Sequence, residues 1–553
     1  MRGIEAFLDV LAGAGCRHVF GNPGSTELPL NEAIAGDERF RYVLGLQEVP
    51  VVAMADGYAL ASGEVGVACV HICCGLGNSM GMLYNAWREG SPLVLVAGQQ
   101  DRRLRLTDPV LEGDTVSVAR PWTKLALEVQ RVEDIPLATR RAVQVALSHP
   151  RGPVFLSLPV DVQLEEREGL DVRPPAVPDR RTRPSAEGLS RAAAILAEAE
   201  NPVVLAGSRV TDAGASEELA RVAERLGAPV FSESSTFHGR LPMRSDHPLY
   251  GGALPLWAPD IRQLLEGHDA ALAVGINLFC LYIYFEPGNP LPEGCRLVHL
   301  EPSPSEVSKN YPAEVGLVGD LKSGLDELDR LLADAMSDEG RRAAEERTKR
   351  WADKRRIERA ELASRLEAEG AERPMTPLVF MDALARALPD DAAVVEEAVT
   401  THQHVLERLG VLKRPDGLFA HRGWALGWGL GCALGVKLAW PERPVVALLG
   451  DGASLYGIQG LWTAAHYHIP VVFVVANNAQ YRILKRCGEL MGLERVAAGC
   501  DMEITDPAVD FVGLARSFGV EALRVAEPQA VSETLAEALR RSEPLLIEVP
   551  VAR

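Results

Sequence analysis

Short apolar runs rich in β-branched residues recur along this chain, and each is followed by a stretch with helical spacing. They are "VGVACV" (65–70), "PVFLSLP" (153–159), "PVVLAG" (202–207), "AALAVG" (270–275), "VVALLG" (445–450) and "PVVFVVAN" (470–477). Strands that alternate with helices form parallel sheets covered by helices on both faces. The sequence therefore predicts an α/β protein with three doubly wound parallel-sheet domains.

Two shifts in composition predict the domain boundaries. The stretch "VRPPAVPDRRTRPS" (172–185) is rich in Pro and Arg and has no periodicity, which is typical of an exposed connection between domains. Residues 338–374 are nearly all charged or helix-forming, which indicates a solvated helical connector. We therefore predict domains at 1–170, 186–337 and 372–553.

Charge and cysteine content exclude several classes of partner. The 57 Lys and Arg residues against 76 Asp and Glu residues leave a net charge of −19, which disfavours a nucleic-acid partner because phosphate binding relies on basic residues. Nine cysteines without a metal-type CxxC pair indicate a reducing cytoplasm. The glycine-rich run 423–440 contains Lys437 and predicts tight helix packing rather than a membrane span. We expect a cytoplasmic protein without nucleic-acid or membrane partners.

The stretch "VVALLGDGASL" ends a buried strand in an aspartate, Asp451, between Gly450 and Gly452. The next β-rich run ends in "NNAQY", which places Asn478 at another carboxyl edge of the sheet, where ligands of parallel sheets gather. Asp451, the Asn478 side chain and the backbone carbonyl of Gln480 suit magnesium, and the glycines would let a diphosphate approach the backbone. A surface aspartate in a turn is the alternative, and GDG alone does not decide between the two. The NN pair that ends the next β-rich run favours the metal-diphosphate site.

This pattern resembles the thiamine-diphosphate-binding signature, GDG followed after a helix and a strand by NN. The match to the family of 2-oxo-acid decarboxylases and acetolactate synthases extends over nearly the whole chain. It is carried by "GNPGSTELP" (21–29), "LQEVPVVAMADGYA" (46–59), "GLGNSMGMLYNAW" (75–87), "SPLVLVAGQQ" (91–100) and residues 450–478. The resemblance implies pyrimidine-binding, central and diphosphate-binding domains, with thiamine diphosphate and Mg²⁺ as cofactors. It also implies a homodimer at least, within a homotetramer, with sites shared between subunits.

The resemblance also assigns residues to the cofactor. Glu48 would hydrogen-bond the aminopyrimidine ring and start catalysis by promoting its imino tautomer, although periodicity alone favours a plain helix-start glutamate. Leu426 aligns with the aliphatic wedge under the bent cofactor, and the carbonyl of Trp424 would accept from the 4′-amino group; core packing is the alternative for both. The diphosphate end is assigned to Gly450, Asp451, Gly452, Ala453, Ser454, Asn478, Gln480 and Tyr481.

Two further residues are candidates for substrate chemistry. His71 lies at a predicted strand end where the family keeps an active-site histidine, although a histidine beside an apolar strand is more often a satisfied core residue. Ser25 matches a serine that contacts the substrate carboxylate, and on its own would be a helix N-cap. We expect Cys73 and Cys74 to be buried packing thiols. Residues 400–404, "TTHQH", are expected to line the pocket rather than bind a metal, because two histidines make a poor site.

Three functions from different classes remain open. The first is a non-oxidative decarboxylase of 2-oxo acids with an aryl-accommodating pocket, which releases an aldehyde and has a carboligase side activity. The second is an acetolactate-synthase-like carboligase or a 2-hydroxyacyl-CoA lyase, which a flavin- or nucleotide-binding central domain would support. The third, a non-catalytic binding module, is the weakest because Glu48 and Asp451 are both present.

In "FCLYIYFEPG" (279–288), Ile283 or a neighbouring tyrosine stands where aryl-specific members carry a second histidine.

Overall fold

The computed structural model describes residues 1–176, 181–233, 239–286 and 288–553, so part of the predicted connection 172–185 lies outside the described residues. The described chain forms three six-stranded sheets, and the strand pairs whose register is described are parallel. The predicted α/β class with three doubly wound parallel sheets is confirmed. The charged stretch 338–374 forms one long helix, Asp338–Glu369, as its composition predicts.

The first sheet has the strand order β2-β1-β3-β4-β6-β5. Its strands are β1 His18–Asn22, β2 Arg41–Leu44, β3 Gly66–Val70, β4 Leu93–Gln99, β5 Leu125–Glu128 and β6 Val154–Pro159. The helices of this region are α1 Gly3–Gly13, α2 Leu28–Ala35, α3 Glu48–Ser62, α4 Ile72–Glu89, α5 Thr115–Ala119, α6 Ile135–Leu147 and α7 Val160–Leu164. Strands β3 and β4 are buried along their whole length, as expected for parallel strands covered on both faces.

The second sheet has the strand order β12-β11-β10-β7-β8-β9. Its strands are β7 Pro202–Ala206, β8 Val230–Ser232, β9 Tyr250–Ala253, β10 Ala270–Val274, β11 Arg296–Glu301 and β12 Val315–Val318. The helices are α8 Ala186–Glu198, α9 Arg209–Asp212, α10 Ser216–Leu226, α11 Ala258–Leu265, α12 Leu321–Ala335, α13 Asp338–Glu369 and α14 Pro377–Ala387.

The third sheet has the strand order β14-β13-β15-β16-β18-β17. Its strands are β13 Ala393–Glu397, β14 Leu418–Ala420, β15 Val445–Gly450, β16 Val472–Asn477, β17 Glu521–Arg524 and β18 Leu545–Pro550. The helices are α15 Val405–Leu409, α16 Trp428–Ala439, α17 Asp451–Ser454, α18 Gly460–His466, α19 Arg482–Leu490, α20 Glu494–Ala497, α21 Phe511–Ser517 and α22 Pro528–Ala538.

The chain divides into two compact units. One comprises Met1–Pro178, Val394–Thr400 and Gly423–Arg553, and the other comprises Asp179–Ala393 and Thr401–Arg422. The first unit contains the first sheet and most strands of the third, and the second unit contains the second sheet. The predicted boundaries at 1–170, 186–337 and 372–553 stay predictions.

Helices α3 and α16 pack with their backbones nearly in contact. A Cβ added at Gly435 would lie 2.0 Å from the carbonyl oxygen of Met54, and one at Gly57 would lie 2.3 Å from that of Cys432. Only glycine allows so close an approach. The tight packing predicted for 423–440 is confirmed, and among the described residues no helix is long and apolar enough to cross a membrane.

A buried polar contact joins the same two helices. The indole Nε1 of Trp428 on α16 donates to Oδ2 of Asp56 on α3 at 2.7 Å, and both side chains are fully buried. Burial raises the pKa of Asp56 to about 6, because the carboxylate is removed from water. The folded protein therefore holds a proton on Asp56 at a pH where the unfolded chain has lost it.

Asp56→Asn should stabilise the protein more at neutral pH than at acid pH. Protonated Asp56 contributes stability that is fully present below about pH 4 and is lost as the pH rises to about 6. The asparagine amide resembles the protonated acid but does not titrate. The gain from the substitution should be about 2 kcal/mol larger at pH 7.5 than at pH 4.5. Tm values of the cofactor-saturated protein at both pH values measure this difference. An equal gain at the two pH values would contradict a raised pKa.

Candidate active site

Two neighbouring strands of the third sheet end in polar residues, as the sequence predicts. β15 and β16 pair in parallel, with Gly450 opposite Ala476. Asp451 is the first residue of α17 directly after β15, and Asn478 directly follows β16. Both residues therefore lie at one carboxyl edge of the sheet, where parallel sheets bind their ligands.

One oxygen of the Asp451 carboxylate is buried without a partner. Oδ1 accepts a hydrogen bond from the backbone N of Gly452 at 2.9 Å, whereas Oδ2 has no hydrogen-bond partner among the described residues. Burial raises the pKa of this carboxyl group. An unsatisfied buried oxygen is costly, and a bound cation would satisfy it. The donor set of Asp451, Asn478 and a backbone carbonyl fits Mg²⁺.

The loop after β16 is held in a defined conformation. Oδ1 of Asn478 accepts from the backbone N of Gln480 at 3.1 Å, and Ala479 between them has φ +54°. The backbone N of Tyr481 donates to the carbonyl oxygen of Met502 at 2.9 Å. These bonds set the direction of the Asn478 side chain and of the Gln480 backbone, the two groups that we predict to bind the metal beside Asp451.

The other predicted diphosphate residues surround Asp451. A Cβ at Gly452 would lie 2.7 Å from Cε1 of Tyr481, so the tyrosine ring packs directly on this backbone. A Cβ at Gly450 would have its nearest contact at 3.5 Å, which leaves the backbone open on that side. Ala453 and Ser454 are buried, and the Ser454 hydroxyl donates to the carbonyl oxygen of Asp451 at 2.8 Å.

The loop that carries Trp424 and Leu426 has an unusual backbone. Trp424 has φ +62° and Gly427 has φ +95°, and the side chains of Trp424 and Leu426 are half-buried. The fully buried Asn85 side chain on α4 fixes the residue between them. Its Nδ2 donates to the carbonyl oxygen of Ala425 at 2.8 Å, and its Oδ1 accepts from the N of Ala425 at 3.1 Å.

A buried glutamate holds the other end of this loop. Glu397, the last residue of β13, accepts from the backbone N of Gly427 at 2.9 Å, of Trp428 at 3.1 Å and of Gly429 at 2.9 Å. Burial raises the pKa of Glu397 to about 8, and the three N–H groups oppose that rise. The loop is therefore anchored on both flanks of the predicted wedge.

Glu48 is the first residue of α3, and its side chain is 5% exposed. Its Oε1 accepts from Nδ2 of Asn22 at 3.3 Å, and its Oε2 accepts from Nδ2 of Asn78 at 3.0 Å. A Cβ at Gly75 would lie 3.0 Å from Oε1, so the carboxylate packs closely against the start of α4. The position is a helix start, as periodicity predicts, and it is also a buried acid, as the resemblance implies.

His71 directly follows β3 and precedes α4, and a buried carboxylate holds its ring. Nδ1 of His71 lies 2.7 Å from Oε2 of Glu27, whose side chain is 1% exposed. A neutral imidazole that donates from Nδ1 has Nε2 as its acceptor, which is the arrangement for proton transfer. The same carboxylate also accepts from the N of Gly24 at 3.0 Å, the N of Ile72 at 3.1 Å, the N of Gly98 at 2.7 Å and the hydroxyl of Thr26 at 2.8 Å.

The backbone around His71 is tightly constrained. A Cβ at Gly24 would lie 1.9 Å from Nδ1 of His71, so only glycine fits against the ring, and Ile72 has φ +30°. Ser25 is the exposed first residue of a short 3₁₀ helix, Ser25–Glu27, whose N-cap is Gly24. Ser25 is therefore not an N-cap, and its hydroxyl lies on the same loop as the partner of His71.

The expectation of buried thiols after His71 is wrong. Cys74 is exposed and Cys73 is partly exposed, because the first turn of α4 turns both side chains away from the core side occupied by Ile72 and Gly75. Burial raises the pKa of Cys73, and the nearby Glu112 raises it further.

The two histidines of "TTHQH" make local contacts. Nδ1 of His404 lies 3.0 Å from Oε1 of Glu407, and the backbone N of His404 donates to Nδ1 of His402 at 3.3 Å. Within the described chain no group of three or more His, Cys, Asp or Glu residues could hold a metal. That this pair is not a metal site stays a prediction. Their predicted place in the pocket stays a prediction.

Sequence reasoning missed the residues that hold the predicted ones in place. Glu27 and Asn78 lie inside the quoted motifs. Glu397 is an acidic residue at the carboxyl end of an apolar strand, and the same feature selected Asp451, so the sequence also offered Glu397 as a candidate. Nothing in the sequence distinguishes Asn85, because its partner Ala425 is 340 residues away.

Three family models match the chain. The N-terminal TPP binding domain of thiamine pyrophosphate enzymes matches residues 1–118, the central domain matches 189–328, and the C-terminal TPP binding domain matches 398–549. Together they cover more than half of the sequence. The chain belongs to the thiamine pyrophosphate (thiamine diphosphate) enzymes.

Individual relatives give a finer comparison. Benzoylformate decarboxylase of Pseudomonas aeruginosa is 36% identical, over 99% of this chain and 98% of the relative. A probable acetolactate synthase large subunit of Methanocaldococcus jannaschii is 29% identical, over 100% and 92%. The structure of the 4-hydroxybenzoylformate decarboxylase of Rhodococcus jostii RHA1 matches with a TM-score of 0.88 and 31% identity, over 100% and 99% of the two chains. The chain is a thiamine-diphosphate-dependent carboxy-lyase that resembles benzoylformate decarboxylase.

Glu27→Gln should slow carbon dioxide release about 10–100-fold, because the amide cannot orient the His71 ring as the carboxylate does. His71→Ala should slow it by about 10²–10⁴-fold, the usual value of a lost acid or base. The double variant should be no slower than His71→Ala alone, since Glu27 acts through His71. Steady-state rates of the four proteins test this, with Tm values to show that each is folded. If the rate losses of the two single variants instead multiply in the double variant, Glu27 acts independently of His71, and its role is merely structural.

Proposed function

We propose that this protein is a thiamine-diphosphate- and Mg²⁺-dependent non-oxidative decarboxylase of aryl 2-oxo acids, with the carboligation of aldehydes as a side activity. The observation that carries the proposal is the Glu27–His71 pair, held 2.7 Å apart at a strand end on the loop that presents Ser25. The reaction converts a 2-oxo acid and a proton into an aldehyde and carbon dioxide.

Each predicted residue has a role in this proposal. When bound, the thiazolium ring of thiamine diphosphate supplies the nucleophilic carbon and the electron sink for decarboxylation. Glu48 would hydrogen-bond the aminopyrimidine ring, the carbonyl of Trp424 would accept from it, and Leu426 would pack against the cofactor. Ser25 binds the substrate carboxylate, and His71 moves protons through Nε2.

We assign the metal to Asp451, Asn478 and the backbone carbonyl of Gln480. The unpartnered Oδ2 of Asp451 supports this assignment, because a buried carboxylate oxygen needs a cation or a donor. Gly450, Gly452, Ala453, Ser454 and Tyr481 would hold the diphosphate.

The aryl substrate class rests on the relatives, and one segment supports the carboligase side activity. Two relatives are named for benzoylformate or 4-hydroxybenzoylformate. Residues 279–288 lack the second histidine of aryl-specific members, and in its place the segment presents the exposed Tyr282 and Tyr284 around Ile283. Without this proton donor, protonation of the product carbon should be slower than carbon dioxide loss, which favours attack on an added aldehyde.

An acetolactate-synthase-like carboligase is the second candidate, and a 2-hydroxyacyl-CoA lyase belongs to the same class. The relative of Methanocaldococcus jannaschii supports the former with 29% identity over the whole chain. Such an enzyme would turn pyruvate alone into acetolactate.

We also propose a cytoplasmic homodimer or homotetramer whose active sites are shared between subunits. The resemblance supports the sharing, with Glu48 supplied by one subunit and the metal ligands by the other. The cysteines support the location, since all nine are free thiols in the described chain.

Asp451→Ala should abolish the magnesium-dependent binding of thiamine diphosphate, and Glu48→Gln should abolish activity while the cofactor still binds. Each variant alone should be inactive. After subunit exchange in an equal mixture, half of the dimers are mixed and each has one intact site of two, so about one quarter of wild-type activity should return. Cofactor titrations by calorimetry and carbon dioxide release measure these outcomes.

The matched control is Asp334→Ala, which removes an exposed aspartate on α12 and should leave cofactor binding unchanged. Wild-type cofactor affinity of Asp451→Ala would overturn the metal assignment. A mixture that exchanges subunits but stays inactive would show that each site is built within one chain.

Phenylglyoxylate should be decarboxylated faster than pyruvate, and the share of 2-hydroxy ketone should rise when benzaldehyde or acetaldehyde is added. His71→Ala should reduce aldehyde release more than ketone formation, because it removes a proton-transfer group from the decarboxylation branch. Product analysis by chromatography after a fixed carbon dioxide yield measures both. Exclusive aldehyde formation would remove the carboligase activity from the proposal, and conversion of pyruvate alone to acetolactate would favour the second candidate.

A further inference from the structure

The second sheet has a place where its strand order reverses. β7 pairs with both β8 and β10, and the chain runs outward from β7 to β9 on one side and from β10 to β12 on the other. Ligands of open α/β sheets bind outside the carboxyl ends of the strands at this point. Here the residues that border it are Gly207 and Ser208 after β7, and Gly275 to Asn277 after β10.

A side chain of this chain lies at that place. The carboxylate of Glu233, which directly follows β8, is 2% exposed. Its Oε2 accepts from the backbone N of Ser208 at 3.0 Å and from its hydroxyl at 2.7 Å, and its Oε1 accepts from the backbone N of Asn277 at 3.2 Å. Nη2 of Arg422 donates to the same oxygen at 2.6 Å.

The loops around this carboxylate are closely packed. A Cβ at Gly207 would lie 2.3 Å from the carbonyl oxygen of Gly275, which itself has φ +58°. The Ser208 hydroxyl also accepts from the backbone N of Gly239 at 3.2 Å and of Arg240 at 3.0 Å. The donors therefore converge on one preorganised position.

Glu233 neutralises a buried guanidinium group of this cluster. Arg209 makes a bidentate pair with the buried Glu301 at 3.0 and 2.8 Å, and Arg422 is paired with Glu233. Arg422 also donates to Oδ1 of Asn277, whose side-chain nitrogen donates to Glu306. Removal of Glu233 would take away the carboxylate that pairs with Arg422, whose side chain is 2% exposed, and a buried charge that loses its ion-pair partner is costly.

We propose that the crevice of the second sheet is an anion-binding site whose permanent occupant is Glu233. Two backbone N–H groups, a hydroxyl and a guanidinium form a donor set suited to carboxylate or phosphate oxygens. While Glu233 occupies the position, the crevice is closed to the diphosphate of a nucleotide. Without the Glu233 carboxylate it accepts a small external anion.

Acetate rescue of Glu233→Ala tests the proposal, because acetate has the same heavy atoms as the fragment that the substitution removes. In holoenzyme saturated with thiamine diphosphate and Mg²⁺, the substitution should lower Tm by roughly 10 °C. Sodium acetate at constant ionic strength should recover at least half of that loss, whereas neutral acetamide should not. Acetate and ADP should leave the Tm of the wild type unchanged, whereas ADP should raise that of Glu233→Ala.

Two variants serve as controls. Glu233→Gln fills the same volume without charge and should be destabilised but not rescued by acetate. Glu306→Ala removes a neighbouring carboxylate that accepts from the Asn277 side chain and from Nζ of Lys309, both at 3.0 Å, but from no group that donates to Glu233, and it should not respond either.

If Glu233→Ala is recovered only from cells and buffers that contain acetate, that dependence is itself the expected rescue. The double variant Glu233→Ala with Arg422→Met should then be purified without acetate, because it lacks the guanidinium group that Glu233 neutralises. Folded Glu233→Ala that responds to acetate no more than the wild type would overturn the proposal. Saturable binding of ADP or flavin to the crevice of the wild-type protein would do the same.

Discussion

A buried carboxylate that collects backbone N–H groups is the interaction on which the loops at all three sheet edges depend. Glu27 accepts from three backbone N–H groups around His71, Glu397 from three around the start of α16, and Glu233 from two at the crevice of the second sheet. Loops at the carboxyl ends of buried strands present N–H groups that have no ladder partner, and leaving them unpaired is costly. One carboxylate can accept from several of them, and the low dielectric strengthens each bond.

Asp451 occupies a comparable place but differs in one respect. It lies after a strand of the third sheet and accepts from a backbone N–H, yet one of its oxygens has no partner among the described residues. The structural carboxylates are satisfied by the chain itself, whereas this one needs something from outside. Burial alone does not separate the two kinds. An oxygen without a partner is informative only together with its place in the fold, because Oδ1 of Asp56, buried between two helices, also lacks a hydrogen-bond partner among the described residues.

The parts of the site that could be predicted are those set by strand topology. Asp451, Asn478 and His71 each follow a run of apolar residues, so spacing along the chain places each of them at the carboxyl end of a strand, and the resemblance supplies their proposed roles. Glu27 could not be predicted in the same way, because its donor Gly98 is 71 residues away and belongs to another strand. Cys74 was placed wrongly because neighbouring motif residues suggested burial, whereas the direction of a side chain in the first turn of a helix depends on the strained junction at Ile72.

The glycine contacts between α3 and α16 limit how this enzyme could change. α3 begins with Glu48, and α16 follows the loop of Trp424 and Leu426. Where the backbones of the two helices nearly touch, at Gly57 and Gly435, any larger side chain would push the helices apart. A change of substrate range is then easier where a side chain can be replaced without moving these helices. The exposed Cys74, in the first turn of the helix that follows His71, is at such a position. Fixed helices and a replaceable surface side chain are thus separate parts of the same domain.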